Sequence, residues 1–111
     1  MTVEEALVHL VDRFNRHADR SPGVAEELDG LSRTIQIRLT DEGVYSVDLT
    51  KGRLRNLRSG SASDADVRIT TDVKTFHALV RKDLGPMKAL VTRKLSIEGS
   101  LEDKLLFRKL L

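Results

Sequence analysis

The sequence predicts an α+β fold: five strands in one sheet, with about five helices packed on one face. Three observations lead there. Apolar residues recur at helical spacing near the start of the chain, at two-residue spacing through its middle, and in short blocks of both kinds afterwards. A chain of 111 residues is the length of one ordinary domain and buries a core without staples. Hydrophobic residues make up 40% and charged residues 32%, a globular balance, while the 4% aromatic content makes the core aliphatic. No linker or internal repeat divides the chain, so residues 1–111 read as a single domain.

The elements follow in order. Val3, Ala6, Leu7, Leu10, Val11 and Phe14 fall on one helical face. Thr2 is placed to cap that helix, with Glu5 three residues on as in a capping box. A short second helix is expected from Ser21, with Pro22 in its first turn and Gly30 as its C-cap. The period then changes to two. Ile35, Ile37 and Leu39 alternate with Thr34, Gln36 and Arg38, which predicts a half-buried strand with Gln36 on the solvent side. After Asp41-Glu42-Gly43 the return strand carries Tyr45, Val47 and Leu49. Lys51-Gly52 turns again into a weaker edge strand over 53–57, whose Arg residues discourage edge pairing. Ser59 to Ser63 is a flexible loop. A fourth strand spans Ala65 to Thr70, with Val67 and Ile69 inward. Thr71 or Asp72 caps a helix carrying Val73, Phe76, Leu79 and Val80. Gly85-Pro86 starts another through Met87, Leu90 and Val91. Leu95 and Ile97 mark a fifth strand, ended by Gly99. Ser100 caps a last helix with Leu101, Leu105, Leu106, Phe107, Leu110 and Leu111.

Composition removes several functions. Without Cys there is no disulfide, thiol catalysis or thiolate metal site, which suits a reducing compartment. No apolar run reaches the roughly 18 residues of a membrane span. The start, Met1 to Glu5, is not a secretory signal, and the end, Lys109-Leu110-Leu111, is not a peroxisomal tripeptide. The expected location is therefore cytoplasmic. A net charge of +2 without exposed aromatics among the basic residues argues against nucleic acid as a partner. Arg81, Lys82, Lys88, Arg93 and Lys94 face only Asp83 in their stretch, however. They read either as a solvated basic face or as attraction to an anionic surface or acidic head group.

No catalytic or metal constellation stands out. His9 and His17 are eight residues apart, which is not a metal-pair spacing. Asp64, Asp66 and Asp72 lack the glycine and distal glutamate of a calcium loop, and Asp72 reads better as a helix cap. Ser46, His77 and Asp72 supply the residue types of a hydrolase triad, without a nucleophile-elbow sequence to support one. No glycine-rich phosphate loop is present. The chain is expected to be neither an enzyme nor the holder of a metal or cofactor. What it does carry is surplus apolar surface in its last three helices. Leu105, Leu106 and Phe107 are consecutive and cannot all face one way. That surplus fills a core, forms a dimer interface, or lines a cavity.

Four segments, taken together, resemble the sterol carrier protein type 2 domain family. Thr34 to Asp41 looks like its first strand, and Ala65 to Asp72 like its fourth strand and helix cap. Leu84-Gly85-Pro86-Met87-Lys88-Ala89-Leu90 is similar to its Gly-Pro-Met helix start, and Lys94 to Gly99 to its last strand. They occur in the family's order and spacing, from about Leu7 to Leu111. Three departures are visible: Arg93 stands where Gly is more usual, the C-terminal extension with its peroxisomal tripeptide is lacking, and the aromatic content is low. The resemblance implies a mostly antiparallel sheet with a crossover before the fourth strand. It also implies an apolar tunnel between the sheet and the C-terminal helices, holding a fatty acid, acyl-CoA ester, phospholipid or sterol-like ligand. The candidate tunnel residues are Leu79, Val80, Met87, Leu90, Val91, Leu95, Leu106 and Phe107. Lys88, Arg93 and Lys94 are candidates for contact with an acidic head group or a transient contact with an anionic membrane. The chain would be a monomer or a homodimer. The alternative is an interaction module, a dimer burying Leu105, Leu106, Leu110 and Leu111, which needs no cavity.

Overall fold

Each helix begins where local chemistry starts it. In the computed structural model, which describes residues 1–104, the Thr2 hydroxyl accepts from the Glu5 amide and the Glu5 carboxylate accepts from the Thr2 amide. That reciprocal box opens α1 (Val3–Arg20). Pro22 occupies the first turn of α2 (Pro22–Leu28). Asp72 accepts from the Thr75 amide at 2.7 Å to start α3 (Val73–Val80). Pro86 opens the short α4 (Pro86–Val91). Residues 101–104 form the first turn of a further helix, with Ser100 accepting from the Asp103 amide.

The strands are β1 (Ser32–Leu39), β2 (Gly43–Thr50), β3 (Arg53–Ser59), β4 (Val67–Thr71) and β5 (Leu95–Glu98). They form one mixed sheet in the order β3-β2-β1-β4-β5. Only the β1–β4 pair is parallel, and it requires the crossover between β3 and β4. The β2–β3 hairpin turns through Lys51 and Gly52, at φ 54° and 76°, the positive pair that a type I′ turn needs. Further along β3, Asn56 and Leu57 both oppose Val47. That bulge sits on Asn56 at φ 57°.

The helices lie on the sheet face carrying Ile35, Ile37, Leu39, Tyr45, Val47 and Leu49. These side chains and Leu7, Leu28, Val67, Phe76 and Val80 make the core. Two polar ties fix the layers. The Asn15 amide group donates to the Leu54 carbonyl at 3.0 Å, and its oxygen accepts from the Leu54 amide at 2.8 Å, pinning α1 to the edge strand β3. Arg13 Nη1 donates to the Val80 carbonyl at 2.8 Å, pinning α1 to the end of α3.

One expectation is corrected on the opposite sheet face. Gln36 is buried, only 5% exposed, although alternation assigns it to solvent. The loop after β3 folds back over it, and its side-chain oxygen accepts from the Ala62 amide at 3.2 Å. The neighbouring Ser46 is 1% exposed and donates to the Gly60 carbonyl at 2.8 Å. A strand's alternation reports two faces but not which of them a later loop covers.

Candidate functional site: a cavity between sheet and helices

Strand register builds the floor of a cavity. Ile37 pairs with Ile69, and Ile69 with Ile97, so three isoleucines from β1, β4 and β5 form one row on the helix face. The next row supplies Thr71 and Leu95. Leu10 and Arg13 of α1 and Phe76, Leu79 and Val80 of α3 also line the cavity. The segment after α3 closes it with Lys82, Leu84, Gly85 and Pro86. The cavity volume is about 400 Å³, within the range of roughly 300–1,000 Å³ of small-molecule sites. Lys82 is exposed yet belongs to the lining, so the cavity meets solvent there.

The wall is mostly apolar, with Arg13, Thr71 and Lys82 as its polar side chains. The Thr71 hydroxyl donates to the Lys94 carbonyl at 2.8 Å. Arg13 uses one nitrogen on Val80 and has no carboxylate partner among the described residues. The buried side-chain nitrogens and oxygens among the described residues all have partners. A mostly apolar wall favours an apolar occupant.

The predicted candidates are distributed as follows. Leu79, Val80 and Leu95 lie on the cavity wall. Leu90 is half-buried, and Met87 and Val91 are exposed, outside the described lining. Leu106 and Phe107 lie outside the described residues, as do Leu105, Leu110 and Leu111 of the dimer alternative. Lys88, Arg93 and Lys94 are exposed around α4, and Arg93 adopts φ 61°, the left-handed region that favours glycine. The sequence places Ile37 on the buried side of its strand, Ile69 inward and Ile97 in the fifth strand, without marking the three as a cavity floor. The signal was present in their two-residue spacing, but only the register joins the three strands. Leu10 was legible only as part of an apolar helix face and Lys82 only as part of a basic cluster, while Arg13 carried no signal of its own.

The other groups are accounted for structurally. Asp72 caps α3, and the amide and hydroxyl of Thr75 hold its carboxyl below the usual range. Asp66 accepts from the Thr34 amide at 2.8 Å. The Tyr45 hydroxyl lies 3.1 Å from Glu4 and 3.2 Å from Glu42, and burial beside these carboxylates pushes its pKa up to about 12. His9 and His17 are exposed, while His77 is half-buried with its ring tilted against Phe76. Ser46 is on the sheet face opposite the helix that carries His77, so Ser46, His77 and Asp72 are not brought together. Among the described residues no group of three or more His, Asp or Glu could hold a metal ion. No helix among them is long and apolar enough to cross a membrane.

Comparison with known proteins places this fold. A structure from Aedes aegypti, described as palmitated SCP2L2, has a TM-score of 0.63 at 23% identity, covering 96% of this chain and 92% of that one. A sterol carrier protein domain 2 from Helicoverpa armigera gives 0.65 at 16% identity, covering 95% and 84%. The stereoselective inverting sec-alkylsulfatase Pisa1 from Pseudomonas sp. gives 0.61 at 21% identity over 78% of this chain. Against that sulfatase this chain spans only 14% of the length, so it matches a small part of a much larger enzyme. No curated protein sequence matches. The profile of the SCP-2 sterol transfer family matches residues 12–111, which includes every strand and every lining residue of the cavity except Leu10. The chain belongs to the SCP-2 sterol transfer family.

Proposed function

We propose that the protein binds and carries an apolar ligand of the acyl-chain or sterol-like class in the cavity over Ile37, Ile69 and Ile97, without catalysing its conversion. The observation that carries this reading is the mostly apolar cavity of about 400 Å³ between the sheet and the helices. Family membership supports it, and so does the palmitated state of the Aedes protein, which is a property of that protein. The driving force is removal of apolar surface from water. Each methylene contributes about 0.8 kcal/mol, so ten give roughly 8 kcal/mol before the cost of immobilising the chain. The binding unit would be a single domain over residues 1–111, and in support of this the lining is drawn from α1 through β5. The absence of Cys suits work in the cytoplasm.

Lys82, on the lining and exposed, is where a head group would meet solvent. Lys88, Arg93 and Lys94, on and just after α4, add positive charge for an acidic one. The test is organic extraction of the folded, purified protein followed by mass spectrometry. A stoichiometric acyl or sterol-like compound is expected. Protein that is empty after gentle purification and takes up no added lipid would remove the proposal.

A further inference from the structure

We infer that β5 is a pairing edge for a second copy of this chain, the two strands joining antiparallel about Ser96 so that Lys94 of each copy faces Glu98 of the other. The inference concerns assembly and goes beyond the carrying of a ligand. It starts from the direction of the backbone groups. The Thr71 carbonyl accepts from the Thr40 amide, so Thr71 and, by alternation, Ile69 turn their backbone groups toward β1. Arg68 and Thr70 then turn theirs toward β5, where they pair with Glu98 and Ser96. The amides and carbonyls of Leu95 and Ile97 therefore point away from the sheet, and no group among the described residues hydrogen-bonds to them on that side. The opposite edge of the sheet is obstructed. On β3 the outward amide and carbonyl of Leu54 hold the Asn15 side chain. Arg53, Arg55, Arg58 and the bulge at Asn56 also discourage pairing there. With one edge closed, pairing through β5 ends at a two-fold dimer instead of growing into a filament.

Charge complementarity identifies the occupant. With the residue before it, β5 reads Lys94-Leu95-Ser96-Ile97-Glu98. Antiparallel pairing about Ser96 sets Leu95 opposite Ile97 and Lys94 opposite Glu98, each twice by symmetry. Leu95 and Ile97, whose backbone groups face outward, exchange hydrogen bonds in both directions. Lys94 and Glu98 fall at the intervening pairs, where facing side chains approach more closely. Lys94, Ser96 and Glu98 are exposed, and neither charge has an ion pair among the described residues. A register two residues away sets Ser96 against Lys94 or Glu98 and leaves the charges unmatched. On the helix face the row Ile37, Ile69, Ile97 would continue into Leu95 of the second copy, so the floors of the two cavities would join.

The test is sedimentation of the full chain over a range of concentrations, for the parent and for the single variants Lys94→Glu and Glu98→Lys. The parent is expected in a monomer–dimer equilibrium. Each variant alone sets like charges opposite one another at two symmetric places and should dimerise about tenfold or more weakly. Mixed in equal amounts, the two variants should recover the dimer, because every altered charge then faces its opposite. A general loss of stability would not be repaired by mixing. Both positions are exposed, so circular dichroism should show each variant folded. Residue-resolved hydrogen exchange of the parent should slow most at the Leu95 and Ile97 amides as concentration rises, since Ser96 and Glu98 already face β4. A parent monomeric at every concentration, single variants that associate as the parent does, a mixture that stays monomeric, or unchanged exchange at Leu95 and Ile97 would each overturn the inference.

Discussion

Replacing Leu79 by Trp asks whether the space over the isoleucine row is open to a ligand. Leu79 is half-buried and forms part of the wall of a cavity of about 400 Å³. In a close-packed core the larger ring would displace its neighbours at a cost of about 1–3 kcal/mol. In the cavity it has room, and the additional apolar surface it buries contributes at about 25 cal/mol per Å². Stability of the ligand-free variant should therefore hold or rise. Ligand binding should fall. An indole that takes the place of about three methylenes removes about 2.4 kcal/mol, which is a roughly sixtyfold weaker Kd. The assay pairs a urea midpoint with displacement of a fluorescent fatty acid. A variant destabilised by more than about 1 kcal/mol with affinity intact would show that Leu79 is packed core and that the ligand lies elsewhere.

Three further outcomes are expected. Asn15→Ala should destabilise by about 1–3 kcal/mol in urea unfolding, because it strips both the donor and the acceptor that Leu54 uses on the edge strand. Asp103→Ala should cost more than Asp19→Ala. Asp103 is 8% exposed and meets Arg33 at 2.9 Å, whereas the Asp19–Arg53 pair is nearly half exposed on both sides, and such surface pairs contribute only about 0–1 kcal/mol. Asp72→Ala should cost about 0.5–2 kcal/mol at neutral pH through loss of the α3 cap. The folded-state pKa of Asp72 is lowered, so its contribution is present above the unfolded-state value, near 3.8, and is lost as pH falls through the folded one. The gap between Asp72→Ala and the parent should narrow on acidification below about pH 4, and a gap constant down to pH 2 would contradict the assignment.

Local chemistry made most of the fold legible in the sequence. The Thr2–Glu5 box, Pro22, Asp72 and Pro86 each start a helix where the residues predicted one, because caps and prolines act within a few residues. The two-residue alternation of Ile35, Ile37 and Leu39 likewise reported the buried face of β1. What the sequence hid depends on distant partners. Gln36 is buried by a loop 26 residues away. Met87, Leu90 and Val91 have helical spacing, but spacing does not say which side of a six-residue helix meets the protein, and Ala89 took the inner position. The cavity floor needed the parallel pairing of β1 with β4, a contact made across a crossover. Asn15 looked like any polar residue on an amphipathic helix until the edge strand was in place beside it.

The central claim is that the cavity accepts an apolar chain, and equilibrium titration of the purified, delipidated protein with a fluorescent long-chain fatty acid tests it most directly. The account predicts saturable binding, displaced by unlabelled long-chain lipid, tightening as the competitor chain lengthens by up to about 0.8 kcal/mol per methylene. It also predicts loss of that binding in Leu79→Trp. Absence of displaceable binding across several chain lengths, in protein shown to be folded, would contradict it.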